Sequence, residues 1–189
     1  MKTTTILPLL LLLGAAACTT PPTQFLLDAP TSQMRLAPRV SSIEVRSISL
    51  PQYASAADGI ALLQADGSVT TDPKEVWADT PERGATLALV RNLAAITGAR
   101  VAADPWPFSD LPAVSVNVTV ERFLASETGR LELAGAYAIS PVVSSLRDRG
   151  GRFDIVVPLP ENAGTAERAR AHGQAIQQLA EDIARRLAG

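Results

Sequence analysis

Hydrophobic and polar residues alternate along three segments in the second half of the chain. In the first, residues 113–123, the apolar positions are Val114, Val116, Val118 and Val120, and the polar positions between them are Ser115, Asn117, Thr119 and Glu121. Strict alternation of this kind is typical of a strand with one buried face. The same two-residue spacing recurs at Leu131, Leu133, Tyr137 and Ile139, and again at Phe153, Ile155 and Val157. The connections are too short for helical crossovers, so we expect the three strands to form an antiparallel meander.

Two helices are predicted, one in the middle of the chain and one at its end. Thr80 is a suitable N-cap, Pro81 suits the first helical position, and Gly98 suits the residue after the helix. The expected apolar face of this helix is formed by Leu87, Val90, Ala94 and Ile96 or Thr97. In the C-terminal segment, Ile176, Leu179, Ile183 and Leu187 recur at helical spacing. Acidic and basic residues are mixed on the opposite face, which favours packing on a core over binding to a membrane surface.

The first half of the chain contains shorter strand signals. We expect an edge strand at residues 24–28, ended by Pro30, and a second strand within residues 39–50. Asp66-Gly67 suits a tight turn between residues 60–65 and 68–71. Together these elements predict an α+β fold. It would be a single domain with a mixed, mostly antiparallel sheet and two helices packed on one face.

The N-terminal segment has the organisation of a secretory signal peptide. Lys2 precedes an apolar run over residues 6–13, and small residues continue to Cys18, the sole cysteine. The apolar run is far shorter than the roughly 20 residues of a membrane-spanning helix. A run of small residues that ends on cysteine resembles the lipobox of bacterial lipoproteins. That resemblance implies that the signal is cut before Cys18 and that Cys18 is acylated. The alternative is an ordinary secretory signal in which the cysteine has no role.

Lipidation would divide the chain into three parts. Residues 1–17 would be the signal peptide, residues 18–23 the lipidated cysteine with a short tether, and residues 24–189 the domain. Pro21 and Pro22 favour an extended, semi-rigid tether. By the sorting rule known for lipoproteins, Thr19 and Thr20 after the cysteine indicate the outer membrane. We therefore expect a lipid-anchored protein that faces the periplasm.

Composition and charge exclude several function classes. The net charge of −2 lacks the basic excess of a nucleic-acid-binding domain, and one cysteine cannot form an internal disulfide. His172 is the only histidine, so a Ser-His-Asp hydrolase would have one available base. No nucleophile or acid motif lies near it, and a solvated or structural histidine is the favoured interpretation. We predict no catalytic residues, no metal site and no cofactor.

The few aromatic residues are the candidate contacts with a partner. Trp77 precedes the first long helix and would either hold that helix on the sheet or bind a partner. Trp106 and Phe108 lie in a proline-flanked loop, where large apolar side chains either join the core or form an interface. Leu50 and Tyr53 complete the set of candidate partner contacts.

Several short segments, in order and at suitable spacing, resemble the family of ABC-type transport auxiliary lipoproteins, to which paraquat-inducible protein C belongs. The matching segments are Cys18, Phe25-Leu26-Leu27-Asp28-Ala29-Pro30, Leu50-Pro51-Gln52-Tyr53, Trp77-Ala78-Asp79 and Leu179-Ala180-Glu181-Asp182-Ile183-Ala184. The resemblance implies a non-enzymatic periplasmic domain anchored in the outer membrane. Such proteins accompany MCE-type systems that carry phospholipids between the two membranes, so the implied partner is an MCE-domain tunnel protein.

Two other functions remain open at this point. A structural or assembly lipoprotein would maintain the envelope without contacting lipid cargo, and a lipid hydrolase would use His172. The sequence also leaves open whether copies of the chain form a homo-oligomer.

Overall fold

The computed structural model describes residues 20–55, 59–143, 145–160 and 162–189. The predicted signal peptide and Cys18 lie outside these residues. The described elements, in chain order, are β1 (Thr23–Phe25), β2 (Ser42–Val45), α1 (Gln52–Ser55), β3 (Leu62–Leu63), β4 (Val69–Thr70), β5 (Glu75–Trp77), α2 (Pro81–Thr97), β6 (Arg100–Ala103), β7 (Val114–Ser126), β8 (Arg130–Pro141), β9 (Arg149–Pro158) and α3 (Thr165–Ala188).

Strand β7 is the centre of the main sheet. On one side it pairs antiparallel with β8, which pairs antiparallel with β9, so the predicted meander is confirmed. On its other side, the beginning of β7 pairs parallel with β2, and its end pairs parallel with β3. Strand β6 lies parallel to β2 at one edge, and β4 completes a hairpin with β3. The sheet is therefore mixed, with its longest pairings antiparallel.

The hairpin between β3 and β4 confirms the predicted turn at Asp66-Gly67. Gly67 has φ +86°, a conformation that glycine adopts without a steric penalty. A separate two-stranded sheet pairs β1 with β5 in parallel, with Phe25 opposite Trp77. Strand β1 is thus shorter than the segment predicted at residues 24–28.

Helix α2 has the predicted ends but a different buried face. It begins at Pro81 and ends before Gly98, whose φ of +65° places it in the left-handed region. Leu87, Val90 and Ala94, which we expected to face the core, are half-buried, whereas Ile96 is buried as expected. The fully buried apolar side chains are Ala85, Ala88, Leu89, Leu93 and Ile96. Ala85 and Ala88 are small enough for α2 to lie close to its neighbours, so the helix is rotated away from the face that we expected.

Helix α3 supplies much of the core. Ile176, Leu179, Ile183 and Leu187 are all buried, as the helical spacing predicts. They share one hydrophobic cluster with the inward-facing residues of β2, β7, β8 and β9 and with the buried side of α2. The predicted fold class, a single α+β domain, is confirmed, with the short helix α1 in addition to the two long ones. No helix in the described part of the chain combines the length and apolarity needed to cross a membrane.

Candidate functional site

The predicted contact residues lie in two separate regions of the domain. Trp106 and Phe108 are in the loop of residues 104–112, which joins β6 to β7. Leu50, Tyr53 and Trp77 lie around the second half of β7. The two regions are near opposite ends of that strand, so the structure does not bring all five residues together.

The loop of residues 104–112 folds back on the start of β6. The Arg100 guanidinium lies 4.6 Å from the ring centroid of Phe108 and 5.6 Å from that of Trp106. It also forms an ion pair with Asp110. The two aromatic rings meet edge to face with centroids 4.9 Å apart, a preferred geometry for aromatic pairs. The Trp106 indole N–H donates to the Asp110 carbonyl oxygen at 2.6 Å, so the loop is fixed by contacts within itself.

Apolar side chains beside this loop extend the exposed surface. Phe108 is 41% exposed, Leu111 64%, Val142 44% and Val143 60%, while Trp106 is half-buried. The N–H groups of Val142 and Val143 both donate to the Ala113 carbonyl oxygen, at 2.9 and 3.4 Å. These contacts place Val142 and Val143 directly beside the end of the loop. We call Trp106, Phe108, Leu111, Val142 and Val143 the apolar patch.

Sequence reasoning missed three residues of the apolar patch. Leu111, Val142 and Val143 are ordinary apolar residues in the sequence, and the signal that could have found them is their position within two residues of Pro112 or Pro141. Prolines at the ends of strands mark connections, which run over the protein surface.

Trp77 is in the interior. Only 7% of its surface is exposed, and its ring meets His172 edge to face with centroids 5.3 Å apart. On the other side of His172, the Phe123 ring lies 4.6 Å away, also edge to face. Trp77 thus joins β5 to α3 through His172, and its contacts are with the domain's own residues.

His172 is buried and surrounded by aromatic rings. Its Nδ1 lies 2.8 Å from the Arg168 carbonyl oxygen, and burial lowers its pKa from 6.5 to about 4, so the imidazole is neutral at physiological pH. A hydrolytic base needs a carboxylate or similar group to orient it and a nucleophile within reach. The hydrogen bond of this ring goes to a backbone carbonyl oxygen, which is the geometry of a structural histidine.

Leu50 and Tyr53 are half-buried and pack against the main core. The Tyr53 hydroxyl accepts a hydrogen bond from the Phe123 N–H at 3.2 Å, next to the shift in register between Val120 and Arg122. These residues present part of their surface to solvent near α1. Their role as partner contacts stays a prediction.

A surface cleft of about 380 Å³ lies beside the start of α3. Its lining includes Leu62, Glu127, Leu159 and Arg168. Arg168 donates to the Thr165 hydroxyl at 2.6 Å and lies 4.0 Å from Glu75, so its charge is already engaged within the domain. Across the described ranges, no three His, Cys, Asp or Glu side chains come together in a group that could hold a metal ion.

Comparison with known proteins identifies a family. A family model described as "ABC-type transport auxiliary lipoprotein component" matches residues 25–184. Among curated protein sequences, no significant match is found.

Solved structures share the fold at low sequence identity. One, described as an uncharacterized protein, has a TM-score of 0.71 and 20% identity, covering 88% of this chain and 99% of that one. Protein XCC0632 from Xanthomonas campestris, described as belonging to the DUF330 family, has a TM-score of 0.59 and 18% identity. The alignment with it covers 87% of this chain and 90% of that protein. Identities this low show a shared fold and nothing further.

Proposed function

The chain belongs to the family of ABC-type transport auxiliary lipoprotein components, and from that membership we propose that it serves an MCE-type lipid transport system. In this proposal it is a periplasmic lipoprotein anchored in the outer membrane. It acts as the auxiliary subunit that holds an MCE-domain tunnel protein at that membrane while phospholipids pass between the two membranes. The observation that carries the proposal is the family match over residues 25–184.

The anchor in this proposal is Cys18. Acyl chains contribute about 0.8 kcal/mol per buried CH₂, and two or more chains give stable membrane attachment. The described chain begins at Thr20 with Pro21-Pro22 directly before β1, so the domain would follow its anchor after a short, semi-rigid segment. Thr19 and Thr20 support sorting to the outer membrane.

The chemistry of the described residues favours binding over catalysis. The family is one of transport auxiliary components rather than enzymes. His172 is buried against aromatic rings, whereas exposed large apolar side chains lie on the loop before β7 and directly after β8. Such a surface suits the recognition of another protein.

The anchor is tested by labelling cells that express the full-length protein with radioactive palmitate. We expect label on the wild type and none on Cys18→Ser, with the wild type in the outer-membrane fraction. Label that persists in Cys18→Ser, or wild-type protein in the soluble fraction, would contradict the anchor.

The transport role is tested by capture of an MCE-domain protein from the same organism. Detergent extracts of cells with the tagged full-length protein should yield that partner, and His172→Ala should capture it equally. If the lipoprotein instead assists envelope assembly without contacting lipid cargo, it should capture no MCE-domain protein. Its gene should then also have no neighbouring genes for an MCE protein, a permease and an ATPase. Lipid hydrolysis that disappears in His172→Ala would support an enzyme instead.

A further inference from the structure

Exposed large apolar side chains are concentrated at one end of the domain. Phe108 and Leu111 lie on the loop before β7, and Val142 and Val143 lie directly after β8, where their N–H groups donate to the Ala113 carbonyl oxygen. In contrast, Leu26, Val69 and Val156 are exposed elsewhere, each on a different strand or loop. Scattered exposed apolar residues are normal on soluble domains, but a group of four is a sign of an interaction site.

The apolar patch is rigid before any partner arrives. Arg100 covers both aromatic rings and pairs with Asp110, and the Trp106 indole is tied to the Asp110 backbone. A surface that is already ordered loses little conformational entropy on binding. Tryptophan and arginine are also the residues that most often dominate binding energy at interfaces.

The apolar patch lies far from the point where the tether enters the domain. The Phe25 carbonyl oxygen accepts from the Ala78 N–H at 2.8 Å, just before α2 begins, and Arg100 follows shortly after α2 ends. The 17 residues of α2 separate these points by about 25 Å at 1.5 Å per residue. A tether from Cys18 to Thr23 spans at most about 18 Å when fully extended. The apolar patch, which lies around Arg100, is therefore at the end of the domain farther from a membrane that holds Cys18.

Position and area indicate what binds there. Lipid of the anchoring membrane is excluded because the apolar patch lies at the opposite end of the domain from the tether, and within the loop Arg100 and Asp110 neutralise each other. The exposed apolar area is of the order of 300–400 Å². A stable interface between two folded copies buries about 800 Å² on each, of which roughly 60% is apolar, so it needs about 450–500 Å² of apolar surface. The area instead matches a few side chains along one face of a helix or strand.

We infer that the apolar patch is the docking surface for a short apolar segment of the partner protein in the transport system. This inference rests on the proposed function and adds to it the surface, its direction and the chemistry of the segment that it binds. The segment presents aliphatic or aromatic side chains to Phe108, Leu111 and Val143, and it approaches from the side opposite the lipid anchor.

The contact is tested in cells by placing a photoreactive amino acid in the full-length lipoprotein. Positions Leu111 and Val143 probe the apolar patch, and positions Leu26 and Val156, which are also exposed, are the matched controls. We expect crosslinks to the MCE-domain protein to be at least fivefold stronger from the first pair. Crosslinks from Leu111 and Val143 to lipid, or to a second copy of the chain, would overturn the inference.

Substitutions separate this inference from the proposed function. Phe108→Ala and Val143→Asp should each lower capture of the MCE-domain protein at least tenfold, and Val156→Asp should leave it unchanged, with the same thermal midpoint in all three variants. Unchanged capture by the patch variants, with normal capture by the wild type, would refute the inference and leave the proposed function standing. Absence of capture by the wild type would refute both.

Discussion

The imidazole of His172 is neutral and packs inside the domain, where a positive charge would destabilise the folded state. Its ring lies between Trp77 and Phe123, and it is 3% exposed. Burial is the main reason that its pKa falls to about 4, and the nearby Arg168 charge lowers the pKa further, against the opposing effect of the backbone hydrogen bond. Protonation would place an uncompensated charge among aromatic rings. An enzyme hypothesis would select His172 as the catalytic base. Its burial instead makes the free energy of unfolding depend on pH.

The free energy of unfolding should depend on pH through His172. An unfolded histidine titrates near 6.5, so between pH 6.5 and 4 the unfolded chain binds a proton that the folded chain does not. Lowering the pH through this window should remove about 3 kcal/mol of stability. Urea unfolding followed by circular dichroism from pH 4 to 7.5 measures it. His172→Leu should lack this component while it keeps the shared titration of the carboxylates; identical pH profiles for the two proteins would contradict the assignment.

At the scale of elements, the sequence predicts the ends of α2 better than its buried face. Pro81 and Gly98 act locally on the backbone, so the ends of α2 could be predicted from the residues there. Its buried face depends on what packs against it. Asn92 is buried on that face because its side-chain oxygen accepts from the Ser32 N–H at 2.8 Å, and its amide donates to the Ala88 carbonyl oxygen. A polar residue with a partner 60 positions away gives no signal in a hydrophobic pattern.

Asn92 should contribute more to stability than its charged neighbour Arg91. Asn92→Ala removes the acceptor of the buried Ser32 N–H, and an unsatisfied buried donor costs about 1–3 kcal/mol. Arg91 pairs with Asp28 on the surface, and Arg91→Ala should change the free energy of unfolding by less than about 1 kcal/mol. Urea denaturation of both variants at pH 7 measures the difference. Equal effects would mean that the hydrogen bond to Ser32 does not stabilise the fold.

At the scale of the whole molecule, strand register creates the apolar patch. Val114 pairs with Pro141 where β7 begins and β8 ends, and this pairing places Val142 and Val143 against Ala113, two residues after Leu111. The alternating pattern predicts the two strands, and the loop composition identifies Trp106 and Phe108. The register also depends on the irregularity between Val120 and Arg122, which the alternation does not indicate. Two of the five residues of the apolar patch were therefore predictable, and the other three required the pairing of distant residues.

If the lipoprotein holds its partner at a set distance from the membrane, tether length should matter in cells but not in solution. Inserting ten prolines between Thr20 and Pro21 adds up to about 30 Å, because an extended proline segment rises about 3.1 Å per residue. We expect capture in detergent extracts to stay at the wild-type level and crosslinking from Leu111 in intact cells to fall at least fivefold. Ten glycine and serine residues at the same site are the control, since a flexible chain spans only about 17 Å on average and can fold back. If crosslinking with the proline insertion stays at the wild-type level, the partner can move with the domain. The anchor would then determine which membrane holds the lipoprotein but not the distance between the domain and that membrane.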